Sequence, residues 1–499
     1  MINLIRYNII IKNRKAFFLL LLFMFYVFLG LCISYPVFYE NNIFFGADNA
    51  RVYLDLTSIE FNHRRIKVHP LFLLLTQPIT FVLNGLINNH AMSVIILEAF
   101  CGTMSISAFY SILQDKKVSI SIRILFTLIY ATSFAVVIFS TIPETFIFAA
   151  FGLTAFWRFV SLSSKKNCAF TKHEIFLLVF YGIISFGITI TNYCSYLVGL
   201  IYLLFCRGHI KKKIKWGFII NAINGLVIIF LCLFQKYVWN QSPLFWTSII
   251  SGLQGGEYEE TLYMNFNINV EKTIAWLKQT ILYPLISPEV YMKEAANDYC
   301  PILFSGYSFW LKGILIVFLM LLVSTILLSV IKVIKNFNKE MGYVASILIA
   351  YIGNLFLHYI YGCYEAFMYS PHYLFLILVI LAIFLNNIKN SNYKKILIVY
   401  FYCFLIIEFV NNMIRFFETA NLALKYEGAS FSLIHSIKVS LLCGIILFAL
   451  NTYWRYKECR ENGDKIYNSI TWDSTKSLKA ISLYGILTGI TGLFIAFHN

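Results

Sequence analysis

The chain has 499 residues, of which 59% are apolar and only 13% charged, and its formal net charge is +16. Apolar runs on this scale exclude a water-soluble globular protein, whose interior could not hide them. Nor does the positive charge indicate nucleic acid: Lys and Arg fall in short clusters between apolar runs rather than on one face, the distribution that the positive-inside rule leaves in multi-pass membrane proteins.

Arg6, Lys12, Arg14 and Lys15 precede an apolar run from Ala16 to Pro36. The run exceeds the roughly 7 to 15 residues of a signal-peptide core. It also ends without a small-x-small cleavage site, so it is expected to remain as a first helix with a cytoplasmic N-terminus. Residues 37–69 then reach the outer side, whereas Lys116, Lys117 and Arg123 belong inside. An odd number of crossings must separate the two. Ala91 to Leu113 is the better span. Pro70 to Ile87, which contains Pro78, Asn84 and Gly85, reads as an interfacial or re-entrant helix, making 37–90 a first outer loop with an interfacial helix.

Crossings near 121–142, 145–163, 173–192, 194–206, 216–235, 307–331, 341–360, 373–388, 395–413, 431–453 and 479–497 place the remaining large basic clusters inside. The expectation is an all-α membrane protein of about 13 transmembrane helices, one polytopic domain over 1–499, with a second long outer loop at 236–306. Thr191, Asn192 and Tyr193 interrupt the apolar stretch between two of these runs, as in a broken or strongly tilted unit.

This threading gathers polar chemistry on the outer face. Asp48, in a Gly-Ala-Asp-Asn-Ala-Arg stretch, can serve as a general base for a hydroxyl or as the N-cap of the amphipathic run that follows; Asp55 is the alternative base. Arg64, Arg65, Lys67 and His69 oppose the orientation rule, which suits a phosphate at headgroup depth and equally suits plain contact with lipid headgroups. Glu144, after Pro143, can cap a helix or hold a sugar hydroxyl or metal. Glu365, Tyr369 and His372 share a short outer stretch. Glu98, His358, Glu408, His435 and Lys438 lie in or near apolar spans, where ionisable groups are costly and often functional, but the sequence identifies no partner for them.

Eleven cysteines without a CxxC pair indicate neither a zinc site nor a disulfide framework. No phosphate-binding loop, GxSxG, HExxH or dinucleotide fingerprint is present.

An uncleaved first helix, an acidic residue in the first outer loop (Asp48), an interfacial segment opening with His69-Pro70-Leu71, Pro143-Glu144 at one helix head and Ser370-Pro371-His372-Tyr373 at another together resemble the GT-C class of polytopic glycosyltransferases. Size and the lack of a soluble C-terminal domain are similar to the bacterial serotype-converting O-antigen glucosyltransferases. The resemblance implies an inverting enzyme of the bacterial inner membrane that moves a hexose such as glucose from undecaprenyl phosphate to a lipid-linked O-antigen or other surface glycan on the periplasmic side. Asp48 would then be the base. Arg51, Arg64, Arg65, Lys67, His69 and His372 would be candidates to neutralise the departing phosphate, and Glu144 and Glu365 candidates to contact sugar or acceptor. The paired acidic metal-binding motif of the oligosaccharyltransferase branch is not seen, so no cofactor is implied. An O-antigen polymerase and a lipid-linked sugar flippase or transporter are the competing readings; the second would expect paired inverted repeats, which the sequence lacks.

Overall fold

The computed structural model describes residues 2–34, 42–60, 65–166, 168, 170–207, 210–247, 266–293, 302–335 and 338–426. The chain divides into two units, residues 1–28 with 431–499, and residues 29–430. Helix α1, Ile2–Ser34, carries the first apolar span, Ala16–Ile33.

The second unit is a helical assembly in which α2 (Asn49–Thr57) and α3 (Phe72–Ile87) precede the long helix α4 (His90–Asp115). Asn88, in the left-handed conformation that Asn tolerates, ends α3, and the Asn89 side chain caps the start of α4 by accepting from Met92 N–H at 2.9 Å. A two-residue connection therefore turns the chain back at once. Helices α5 (Ile120–Thr132) and α6 (Phe134–Phe139) lead to α7 (Thr145–Ser163), which packs along α4. The α4–α7 seam is partly polar: Thr154 donates to Ser105 at 3.2 Å, and Ser105 shares a hydrogen bond with Tyr130 of α5 at 2.9 Å. Such inter-helix bonds are among the contacts that hold helices together where lipid supplies no hydrophobic drive.

Next come α8 (Lys172–Ile188), α9 (Asn192–Cys206) and α10 (Ile210–Phe234), the last running into a π-helical turn at Gln235–Trp239. Close approach uses small residues: a Cβ on Gly199 of α9 would stand 2.5 Å from the ring of Phe156 on α7. At the ends of α7, α8 and α9, buried Arg207 donates to both carboxylate oxygens of Glu174, at 2.9 and 3.0 Å, and to the Ser163 carbonyl at 3.1 Å.

Besides short helical turns, there follow α11 (Val270–Leu277), the antiparallel strands β1 (Val290–Met292) and β2 (Ile302–Phe304), and helices α12 (Phe309–Lys335), α13 (Lys339–Ile360), α14 (Leu374–Asn386) and α15 (Ser391–Tyr426). Buried Asn412 of α15 fastens that helix to the centre, donating to the carbonyls of Leu285 and Thr132 and accepting from Ser287 N–H.

The protein is thus a multi-pass helical membrane protein, with one correction. Among the described residues seven helices are long and apolar enough to cross a membrane, or eight when the bent pair Cys363–His372 and Leu374–Asn386, kinked by 64°, counts as one span. The expected total of about 13 is not supported. The run 121–142 is divided at Ser133 between α5 and α6, α8 has 17 residues and α9 only 15. At 1.5 Å per residue, helices of 15 to 17 residues fall short of a hydrocarbon layer about 30 Å thick. The expected crossings at 431–453 and 479–497 lie outside the described residues.

Candidate functional site

The first loop is built as a turn held by aromatic rings. Phe45 and Gly46 both have positive φ, +50° and +87°, a strained choice for Phe that is fixed by its stack on Phe304 of β2 (4.3 Å between centroids, 12° between planes). Phe134 and Phe367 pack edge-on against the same ring. The backbone joins β2 directly: Phe45 N–H donates to the Ile302 carbonyl and Ile302 N–H to the Ile43 carbonyl, both at 3.1 Å. Side chains of Asn42 and Asn49 close the turn onto the first residues of α2.

Asp48 stands at the head of α2 yet makes no side-chain cap. Its carboxylate instead accepts from Arg51, at 3.0 Å from Nη2 and 3.3 Å from Nε, and lies 3.3 Å from Nε of Arg65. One turn further on, Arg51 Nη1 donates to Asp55 at 2.8 Å. The i, i+3 and i, i+4 spacings put all three on one face of the helix. Asp55 is wholly buried, and that burial outweighs the adjacent guanidinium and raises its pKa to about 7. Its backbone carbonyl accepts from Gln77 of α3 at 2.6 Å, and Gln77 in turn accepts from Trp239 at 2.8 Å. Thus α2 is pinned at both ends.

Glu144 is the N-cap of α7: its Oε2 accepts from Thr145 N–H at 2.7 Å. Its Oε1 reaches in the other direction and accepts the backbone N–H of Asp48, also at 2.7 Å. The capping role and a site role coincide in this carboxyl. Burial, with Asp48 close by, pushes its pKa above the usual carboxylate range.

His69 is set by the segment His69-Pro70-Leu71, which pairs with the break between α8 and α9. Leu71 N–H donates to the Gly187 carbonyl at 2.9 Å, and Ile190 N–H to the Val68 carbonyl at 3.0 Å. A Cβ on Gly187 would stand 2.8 Å from Leu71 Cβ, so the approach needs glycine there. His69 Nδ1 donates to the Ile188 carbonyl at 2.6 Å.

These elements surround one cavity of about 1070 Å³. Eight of the eleven residues that the sequence offers as base or substrate contacts line it: Asp48, Arg51, Arg65, Lys67, His69 and Glu144 on one side, with Glu365 and Tyr369 from the stretch after α13. Asp55 lies behind Arg51 rather than at the wall, and buried His372 packs behind Phe146 and Tyr369, at 5.7 and 6.5 Å between centroids. Arg64 lies outside the described residues, as do His435 and Lys438.

The cavity also has walls outside that set of eleven. Thr189, Ile190 and Thr191, at the helix break, line it, as do Lys293 beside β1 and Asn354 of α13. The interruption at 191–193 was the available signal for the first group. His358 lines it too, stacked face to face on Tyr369 at 4.3 Å and 7°; its ring nitrogens are buried and have no hydrogen-bond partner among the described residues, so its ring serves to back Tyr369. Gly362, at φ +62°, lets the chain pass Tyr369 at a distance where a Cβ would sit 3.2 Å from that ring. Among the described residues no group of three or more His, Cys, Asp or Glu is placed to hold a metal ion.

The cavity combines a carboxylate at its wall, several cations and an aromatic flank. That arrangement can bind an anionic group and can accept a proton from a hydroxyl beside it.

The chain is similar to the oligosaccharyltransferase of the archaeon Archaeoglobus fulgidus in its apo crystal structure, with a TM-score of 0.42 and 11% sequence identity, covering 81% of this chain and 56% of that one. It thus spans a little over half the length of that protein. No protein-family model and no curated protein sequence matches.

Proposed function

We propose that the protein is a GT-C-type glycosyltransferase of the bacterial inner membrane that moves a hexose, such as glucose, from a polyprenyl-phosphate donor to a surface glycan or its lipid-linked precursor on the periplasmic side. The observation that carries this reading is the meeting of Asp48 with Arg51, Arg65, Lys67 and His69 in one cavity. A sugar phosphodiester needs both halves of that set.

In this reaction the acceptor hydroxyl oxygen attacks the anomeric carbon opposite the phosphate. Asp48 takes the hydroxyl proton, the bond from the anomeric carbon to the phosphate oxygen breaks with its electron pair, and the lipid phosphate leaves, so configuration inverts. Arg65 and Lys67 neutralise the charge that develops on the leaving group, where fixed cations lower the barrier most. Arg51 is held by Asp48 and Asp55, which suits it to aiming the base rather than to following the phosphate. Asp48 is preferred to Asp55 because only Asp48 lines the cavity.

The test is transfer of labelled hexose from polyprenyl phosphate to membrane glycan by vesicles containing the wild-type chain or Asp48→Asn. Transfer by the wild type and its loss in the variant, at equal protein level, is the expected result. Equal transfer by both removes Asp48 as the base, and no transfer by the wild type from any hexose donor removes the reaction.

A further inference from the structure

Glu98 sits in the third turn of the apolar helix α4, wholly buried. A carboxyl in such a place is expensive, and an apolar residue would pack there without penalty. One of its oxygens has a defined partner: Oε1 accepts the backbone N–H of Glu144 at 3.1 Å. The other, Oε2, has no hydrogen-bond partner among the described residues.

The partner is informative. The Glu144 N–H belongs to the unpaired donors at the start of α7, and the Thr145 N–H next to it is taken by Glu144's own Oε2. With both N–H groups engaged, the Glu144 carboxyl is left with Oε1, which takes the N–H of Asp48. Three acidic residues from α4, the head of α7 and the head of α2 are therefore joined through backbone N–H groups, without a cation between the first two. Helix capping alone would require only Glu144. Glu98 adds a second carboxyl that fixes the Glu144 backbone, and with it the direction in which the Glu144 side chain reaches.

We propose that Glu98 is a positioning residue for the reaction at Asp48, acting through Glu144 to set where the Asp48 carboxyl stands in the cavity. In the part that concerns catalysis this rests on Asp48 being the base; the part that concerns geometry does not. The role needs an acceptor oxygen and no negative charge, so Gln should serve and an apolar residue should not. A misplacement of about 1 Å at a reacting group can cost on the order of a hundred-fold in rate.

Two measurements on the full chain in lipid nanodiscs decide it. In hexose transfer from polyprenyl phosphate, Glu98→Leu should lower kcat at least about ten-fold with the donor KM unchanged, and Glu98→Gln should restore most of the rate. In hydrogen–deuterium exchange, which needs no turnover, Glu98→Leu should speed exchange in peptides covering both 142–146 and 46–50, and Glu98→Gln should not. Faster exchange in both peptides upholds the positioning role even if no hexose donor is used, in which case only the assigned reaction falls. Unchanged exchange at 46–50, or Gln as damaging as Leu, overturns it. Should Glu98→Leu fail to fold, Glu98→Asp withdraws the oxygen by one methylene and is judged by the same two outcomes.

Discussion

Arg65 and Asp48 form an ion pair across the first loop, with Nε of Arg65 3.3 Å from Oδ2 of Asp48. The Arg65 side chain is 37% exposed and that of Asp48 only 12%, so the arginine is the partner able to leave. In the proposed reaction a donor phosphate entering the cavity would compete for the same guanidinium, whose planar fork suits it. Its departure would leave Asp48 in contact with Arg51. Arg65→Ala should therefore raise the donor KM about ten-fold, the loss of one charge-assisted contact of about 1.5 kcal/mol, while Arg65→Lys should recover part of it. Steady-state transfer against donor concentration checks this, and an unchanged KM in Arg65→Ala would separate Arg65 from the phosphate.

The two acids flanking Arg51 should differ in kind. Asp48→Asn removes a group at the cavity wall and should cost about 10²- to 10⁴-fold in kcat, the usual range for general-base loss. Asp55→Asn keeps the shape and one acceptor oxygen for Arg51 behind the wall, and should cost about ten-fold or less. Transfer rates normalised to folded protein give the order, and Asp55→Asn proving the worse of the two would exchange their roles.

Asp55 also predicts a pH dependence of stability. Its folded pKa is raised to about 7 from 3.8, with burial the largest cause. Folding thus favours the protonated form, so its contribution is full below about pH 4 and is lost as pH rises towards about 7. Asp55→Asn cannot lose it. Thermal unfolding of both proteins across pH 4 to 8 should show the wild type losing stability relative to Asp55→Asn as pH increases; parallel curves would contradict the buried acid.

Arg207 offers a control away from the cavity. It is almost wholly buried, with a side chain 1% exposed, and is bound to Glu174 and the end of α7. Arg207→Ala leaves Glu174 without its main partner and should destabilise the fold by about 3 to 5 kcal/mol. Because the cluster does not line the cavity, the donor KM of the molecules that do fold should match wild type. Melting curves beside transfer kinetics test both halves.

Much of the helical layout was legible because apolar runs and basic clusters follow membrane energetics. The count was not: a run of apolar residues does not reveal where Ser133 divides one helix into two, or where α8 and α9 stop short. At the site, Asp48 and the His69-Pro70-Leu71 segment were readable from their polarity beside apolar runs. The tether Asp48–Arg51–Asp55 was readable too, since three- and four-residue spacing puts side chains on one helical face, although the sequence reading set Arg51 towards phosphate. Glu98 stands out in the sequence without a partner, because that partner is a backbone N–H 46 residues away, and backbone donors leave no mark in a sequence. His358 stands out in the same way, without its partner Tyr369, and the short ribbon of β1 and β2 not at all, because their neighbours are fixed only by long-range packing.

The bridge between Phe44 and Ile302 bears on how the protein is made. The turn that presents Asp48 leans on a strand encoded some 250 residues later, and closing so long a loop is a late event in folding. While the ribosome is still producing the middle helices, the turn that carries Asp48 has no Phe304 ring for Phe45 to stack upon. Activity should accordingly switch on only after the β2 segment has emerged, so a nascent chain halted before it would be inserted, basic and inert.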